Sequence, residues 1–434
     1  MQVITWDKGG QKRLSRQLAN EYDRNLVKKV DRILNAVRTK GDPAIRKFTQ
    51  EFDSVDISPK RLQVMQGDIN RAYEKVSVDF LPFLKQITEN AKRYYHKELP
   101  KSFRVRGKDG SYLGKKYVAL DRVGIYVPGG QAPLVSTVYM TALPALVAGV
   151  KDIVLATPPS RETGEINPHI LVVADLLGIK EIYRIGGAQA IAALAYGTKT
   201  ITKVDKIVGP GNPYVTEAKR QVYGFVDIDM VAGPSEVVIL ADRNADPNLV
   251  TCDLLAQAEH VGGIPILVTN SKVLAEQIKK RVDPGYIVVV KSITEGIHVC
   301  NDIAPEHLEI MTKNPESMMK KVKNAGAVFL GPYTPAVVGD FVAGPSHVLP
   351  TGGTARYFSP LGATDFIKSI QYMSYTKESL SKVRDHIYQL TEIEGLMLHR
   401  ISCEARFVDV LRSEASKKGE SSEQEETKGE NSGN

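Results

Sequence analysis

Ala304-Pro305-Glu306-His307-Leu308 sets a carboxylate beside an imidazole directly after a proline that stiffens the approach. Such a pair can take and return protons, so acid/base chemistry is the first reading, with a surface loop as the ordinary alternative. Three further clusters of ligand-type residues follow the same half of the chain: Gln257 with His260, Asp340 with His347, and Glu394 with His399. Gln257 and His260 lie three apart in a helical stretch, so their side chains should project from one face toward a common point. Two neutral N/O donors there could hold a metal, or they could be a polar helix surface with a capping histidine. Asp340 lies in Gly339-Asp340-Phe341 and His347 in Gly344-Pro345-Ser346-His347, a stretch read as a loop whose glycines and prolines hold side chains in fixed directions. With no cysteine nearby, imidazole and carboxylate donors point to catalytic zinc or a similar first-row ion, provided that they converge in space.

Elements able to position these residues can be read from periodicity. Val27, Val30, Ile33, Leu34 and Val37 recur at helical spacing before a Gly41-Asp42-Pro43 break, and Phe80, Leu81, Phe83, Leu84 and Ile87 repeat the pattern. Gly107 to Tyr112 has the composition of a hairpin turn. From Arg122 the pattern changes to short β-rich runs at 123–127, 153–156, 182–185 and 207–208, each ending in glycine, proline or threonine and most followed by a helix. Alternating strand and helix implies parallel strands covered by helices. Residues 123–235 are therefore a Rossmann-like nucleotide-binding candidate, although the Gly-x-Gly-x-x-Gly fingerprint is absent. A second set of strands is expected at 237–240, 266–268, 286–290 and 328–330, giving two sheet layers with a cleft between them.

The chain has 434 residues, 42% of them hydrophobic, enough for two large domains with small appendages. Apolar runs such as Ile287 to Val290 are far too short to span a bilayer, and the N-terminus has no apolar signal core, so a membrane partner is not expected. Cys252, Cys300 and Cys403 lack Cys-x-x-Cys spacing, which disfavours disulfides and thiolate metal sites and suits a reducing cytoplasm. Small hydrophobes in a core are their expected role. The net charge of +7 includes a final segment, Ser413 to Asn434, with six acidic residues and three lysines, which leaves +10 on the rest. That excess suits an anionic ligand, but no dense basic tract with interleaved aromatics suggests nucleic acid. The final segment is polar and free of aromatics and is expected to be disordered.

The ordered motifs Gly124 to Gly130, Ile185 to Ala190, Val208 to Asn212, Asp229 to Glu236, Gln257 to His260, Ala304 to Leu308, His347 to Thr351 and Glu394 to His399 closely resemble those of histidinol dehydrogenases. The likeness extends to about residue 412. It implies an α/β fold with two Rossmann-like parallel-sheet domains, small helical N- and C-terminal extensions and a domain-swapped dimer. Its implied boundaries are an extension at 1–25, a metal domain at 26–122 and 236–365, an NAD domain at 123–235, a swapped segment at 366–412 and the tail at 413–434. It implies Zn2+ held by Gln257, His260, Asp340 and His399, the last reaching in with Glu394 from a partner subunit. Tyr126, Gln189 and Asn212 match NAD contacts. Glu306 and His307 match the acid/base pair. Ser235, Gln257, His260, His307, Asp340, His347, Glu394 and His399 match contacts to the substrate, L-histidinol. The chain departs from the family at Val261-Gly262-Gly263, where an Asp-Pro pair is usual, at Phe341, where tyrosine is frequent, and in a shortened stretch between His260 and Glu306. A related dehydrogenase of another small polar alcohol is the nearest alternative, and a metal-binding protein without turnover is the alternative of another class.

Overall fold

Apolar runs between residues 122 and 228 form one parallel sheet in the spatial order Glu181–Arg184, Asp152–Thr157, Arg122–Tyr126, Lys206–Val208, Asp227–Ile228. The structure is a computed structural model and describes residues 1–18, 23–129, 133–260 and 262–408. Helices Val135–Ala148, Pro168–Leu176, Gly187–Tyr196 and Pro213–Val222 connect these strands. The strands carry apolar residues on both faces because both faces are covered, the pattern of buried parallel sheets. Connections leaving Arg122–Tyr126 and Lys206–Val208 lie on either side of the point where strand order reverses, which opens a crevice at the carboxyl ends of these two strands.

The amphipathic helices before residue 100 pack on this first sheet. Val30, Ile33, Leu34 and Val37 of helix Arg24–Lys40 share a core with Tyr126, Ile191 and Leu194. Leu84, Ile87, Ala91 and Tyr95 of helix Phe80–Glu98 share another with Ile125, Val138 and Leu143. The boundaries implied by resemblance put residues 26–122 with the metal domain, but these contacts put the helices against the other sheet. Helical periodicity reveals a buried face without naming what buries it.

The second sheet is also parallel, in the order Gln2–Ile4, Tyr286–Val289, Ile264–Thr269, Glu236–Ala241, His307–Met311, Ala327–Leu330. Its edge strand Gln2–Ile4 comes from the region expected to be an N-terminal extension. Strand His307–Met311 lies inside the sheet and is buried throughout, so the Glu306-His307 segment is not a surface loop.

Both sheets belong to one compact unit, residues 1–99 and 119–368; residues 100–118 and 369 onward form a second. The hairpin expected at residues 107–112 is present in the second unit, pairing Phe103–Arg106 with Tyr112–Ala119 across a turn in which Gly107 N donates to Ser111 O at 2.8 Å. Strand Ile367–Ser374 joins this hairpin as a third strand, followed by helices Lys377–Ile393 and Met397–Glu404. The expected tail at 413–434, the last residues of the segment 366–412, and Gly130 and Val261 lie outside the described residues. Among the described residues no helix is long and apolar enough to cross a membrane. Cys300 and Cys403 are buried as expected, whereas Cys252 is exposed; all three thiols are free, and burial pushes the Cys300 thiol well above its usual range.

Candidate active site

Ser235 and Glu236 open strand Glu236–Ala241, and Glu306 and His307 open the neighbouring strand, with His307 in register with Val237. The chain reaches Glu306 through Ala304, which ends helix Ile293–Ile303 in the left-handed region at φ 54°. A non-glycine residue held there costs about 1–3 kcal/mol and is kept where surroundings over-determine it. Glu306 and His307 are 7% and 5% exposed, so these polar groups are placed inside the protein by strand pairing. His307 Nε2 lies 3.3 Å from Asp340 Oδ1, and its Nδ1 lies 3.7 Å from Glu306 Oε2. Burial works against the imidazolium, but Asp340, Glu306 and Glu236 outweigh it and push the His307 pKa up to about 9. For Glu306 burial dominates and holds its carboxyl above the usual range, despite His307 and the Ser235 hydroxyl.

The other candidate residues surround this pair. Gln257, 5% exposed, lies in the last turn of helix Pro247–Ala258 and its Nε2 donates to Ser235 Oγ at 2.9 Å. Its oxygen is thereby left as the donor atom that a metal could use. His260 does not continue that helix: it sits in the turn beyond Ala258 and is exposed, so the shared helical face expected for Gln257 and His260 is replaced by a helix end and a turn. Asp340 lies near the end of a short helix, Ala336–Phe341, rather than on a loop. Its carbonyl accepts from His347 Nδ1 at 3.0 Å, which fixes the proton on Nδ1 and turns the Nε2 lone pair to the Thr137 hydroxyl at 3.3 Å. Burial holds the His347 pKa down; Asp340 opposes this, and His307 and His260 reinforce it. Three imidazoles, of His260, His307 and His347, therefore share one neighbourhood with the carboxylates of Asp340 and Glu306. Glu394 and His399 belong to the second unit, where both are exposed.

Tyr126, Gln189 and Asn212 stand where strands of the first sheet end and the following helices begin. Tyr126 ends its strand, and its hydroxyl accepts from Gly187 N at 3.1 Å, at the start of helix Gly187–Tyr196. Gln189 is 1% exposed, and both polar atoms of its amide lack a protein partner. A buried amide without partners is costly, and a polar ligand would satisfy it. Asn212 Oδ1 caps helix Pro213–Val222, accepting from Tyr214 N and Val215 N at 3.0 and 3.1 Å. Gly209 has φ 119°, and a Cβ there would stand 2.1 Å from the Tyr126 carbonyl oxygen, so the backbone closes tightly at this strand end.

A family model for histidinol dehydrogenase matches residues 16–407 of the chain. The chain belongs to the histidinol dehydrogenase family. A histidinol dehydrogenase of Clostridium acetobutylicum is 46% identical over 401 residues, 88% of this chain and 92% of the relative. One of Bacillus subtilis is 46% identical over 398 residues, 87% and 92% of the two chains. The crystal structure of histidinol dehydrogenase from Elizabethkingia anophelis superposes with a TM-score of 0.87 at 35% identity, covering 94% of this chain and 98% of that one. The chain is accordingly an oxidoreductase with the α/β fold and parallel sheets of its family.

Within this family member, sequence reasoning passed over several groups that hold the site. Glu236 is fully buried behind Glu306, and Thr137 faces His347. Glu309 is 1% exposed; its Oε1 accepts from Ala336 N at 2.7 Å, at the start of the helix bearing Asp340, and its carboxyl interacts with Asp253 of the helix bearing Gln257. A glutamate inside an otherwise apolar strand, as at Glu236-Val237-Val238-Ile239-Leu240 and Leu308-Glu309-Ile310, was the available signal. Phe341 keeps a structural contact without the tyrosine hydroxyl: its carbonyl accepts from Tyr139 OH at 3.0 Å.

Proposed function

We propose that the chain oxidises L-histidinol to L-histidine through L-histidinal and its hydrate, in two hydride transfers to NAD, as a step of histidine biosynthesis. The observation that carries this reading is the buried Glu306-His307 pair, enclosed by Ser235, Gln257, Asp340 and His347 in a histidinol dehydrogenase family member. His307 accepts the alcohol proton as hydride leaves the carbinol carbon, and Glu306 takes a proton from the water that adds to the aldehyde. The hydrate then loses its second hydride, and its proton passes to the same pair. Ser235 and His347 orient the substrate, with Glu394 contributed by a second copy of the chain.

Among the described residues no three His, Cys, Asp or Glu side chains are grouped to hold a metal by themselves. By its likeness to the family, a metal here would be held by the Gln257 oxygen, His260 and Asp340, with His399 of a second copy as the fourth donor, a nitrogen and oxygen set that suits zinc. A zinc ion held by these residues would supply a fixed positive charge for binding the substrate's nitrogens, and with Asp340 engaged as a ligand the neutral imidazole of His307 would be favoured. In the first sheet, the unpartnered Gln189 amide and the amino ends of the two following helices suit a pyrophosphate-bearing cofactor.

In the second unit, Leu390, Ile393, Met397 and Leu398 are exposed around Glu394 and His399, an apolar face that supports a homodimer with shared sites. The test of the function is NADH formation with histidinol against a panel of other small amino alcohols. Two NADH per histidinol, and little turnover of the panel, are expected. Preference for another alcohol would favour the related-dehydrogenase reading, and no NADH with any of them would favour a metal-binding protein.

A further inference from the structure

Glu236 has no assigned part in the chemistry, yet it is fully buried and bonded to the backbone of the acid/base pair. Glu236 Oε1 accepts from Glu306 N at 3.1 Å, and Glu306 Oε2 accepts from Glu236 N at 3.3 Å. The two glutamates thus hold each other reciprocally across adjacent strands. The same Glu236 carboxyl accepts from Gly352 N, at 2.9 Å to Oε1 and 3.1 Å to Oε2, which fastens the segment after His347 to the site. Among the described residues no Lys or Arg is bonded to it. Burial and the repulsion of Glu306 push the Glu236 carboxyl up to about 8, so a proton on it relieves the conflict between two enclosed carboxyls.

We propose that Glu236 is the positioning residue of the Glu306-His307 pair, holding the Glu306 backbone and carboxyl in place through its hydrogen bonds to the Glu306 and Gly352 amides. The inference rests on the proposed two-step oxidation and concerns its second step. Glu236 touches neither reacting atoms nor cofactor; it acts by fixing the residue that does. Position, and not negative charge, is what it supplies, so an amide of equal length can replace it: the Gln oxygen still accepts from Glu306 N and Gly352 N.

The experiment measures oxidation of histidinol to histidinal and of histidinal to histidine separately, in zinc-loaded wild type, E236A, E236Q and E236D, with zinc content and thermal unfolding recorded for each. E236A should lose about 100-fold on histidinal, the scale of a displaced general base, and clearly less on histidinol, with zinc retained. E236Q should restore the greater part of that loss, whereas E236D, charged but too short to reach both amides, should resemble E236A. Should E236A not fold, the Gln and Asp variants decide the matter alone. Equal losses on both steps, or an active E236D beside an inactive E236Q, would overturn the role of Glu236. Wild type that oxidised neither compound would instead overturn the reading of the function, and this inference with it.

Discussion

The two parallel sheets use opposite ends. In the first, Tyr126, Gln189 and Asn212 gather where strands finish and helices begin, at Gly187 and Pro213. In the second, Ser235, Glu236, Glu306 and His307 gather where strands begin, and helices finish there: Pro247–Ala258 ends beside Gln257, Ile293–Ile303 ends at the turn into Glu306, and Ala336–Phe341 carries Asp340 near its end. Helix amino ends carry partial positive charge and carboxyl ends partial negative charge. Helix ends at the first crevice therefore complement negative charge and those at the second complement positive charge, in keeping with the NAD and metal positions proposed above. One architecture, read from its two ends, can hold two ligands of opposite charge without acquiring a separate binding domain for each.

The largest expected effect tests whether the second end carries the chemistry. His307→Ala should lower kcat by about 100-fold or more while zinc content and NAD affinity stay at wild-type values. Normal turnover of that variant would make His307 structural and leave the second end without its base.

Sharing between subunits is the next test. His260→Ala and His399→Ala should each be inactive, and subunit exchange between them should restore activity, because a heterodimer with shared sites regains one intact copy. Verified heterodimers that stay inactive would place a complete site within each chain.

A smaller effect follows from the acidic interior of the second end; at the first end the buried Asp229 carboxylate is paired with Lys219. Burial, together with Asp253, pushes the Glu309 carboxyl up to about 8 from an unfolded value near 4.5. The folded state thus binds the proton more tightly, and its contribution to stability is full below about pH 4.5 and is lost as pH rises through about 8. E309Q, which cannot lose that proton, should show a flatter Tm against pH between these limits than wild type. An unchanged slope would mean that Glu309 is not protonated in the fold.

Much of the architecture was legible because four of the five strands of the first sheet are apolar runs closed by glycine, proline or threonine, as at Val123 to Val127 and Ile182 to Ile185, whereas the short edge strand Asp227–Ile228 carries no such signal. Strand His307–Met311 was not legible: Pro305, Glu306, His307 and Glu309 interrupt the apolar pattern precisely because the strand opens into the site. The ligand types of Gln257, His260, Asp340 and His347 could be recognised in sequence, but their convergence depends on two helix ends and a turn that spacing does not encode. The packing of helices 24–98 on the first sheet was hidden for a related reason, since a helical stripe records burial and not its partner. Glu236 stands in the sequence only as the end of a motif and Glu309 in no expected element, so their roles emerge with their backbone partners.

Calorimetric titration of His260→Ala and Gln189→Ala with NAD, alongside zinc affinity by chelator competition, tests most directly whether the two ends are separate sites of opposite charge preference. His260→Ala should bind NAD as wild type does and lose zinc, and Gln189→Ala should keep zinc and bind NAD about 10-fold more weakly, the scale of one lost polar contact. Loss of both ligands in either variant would contradict the account, because it would show one merged site where the strands and helices present two.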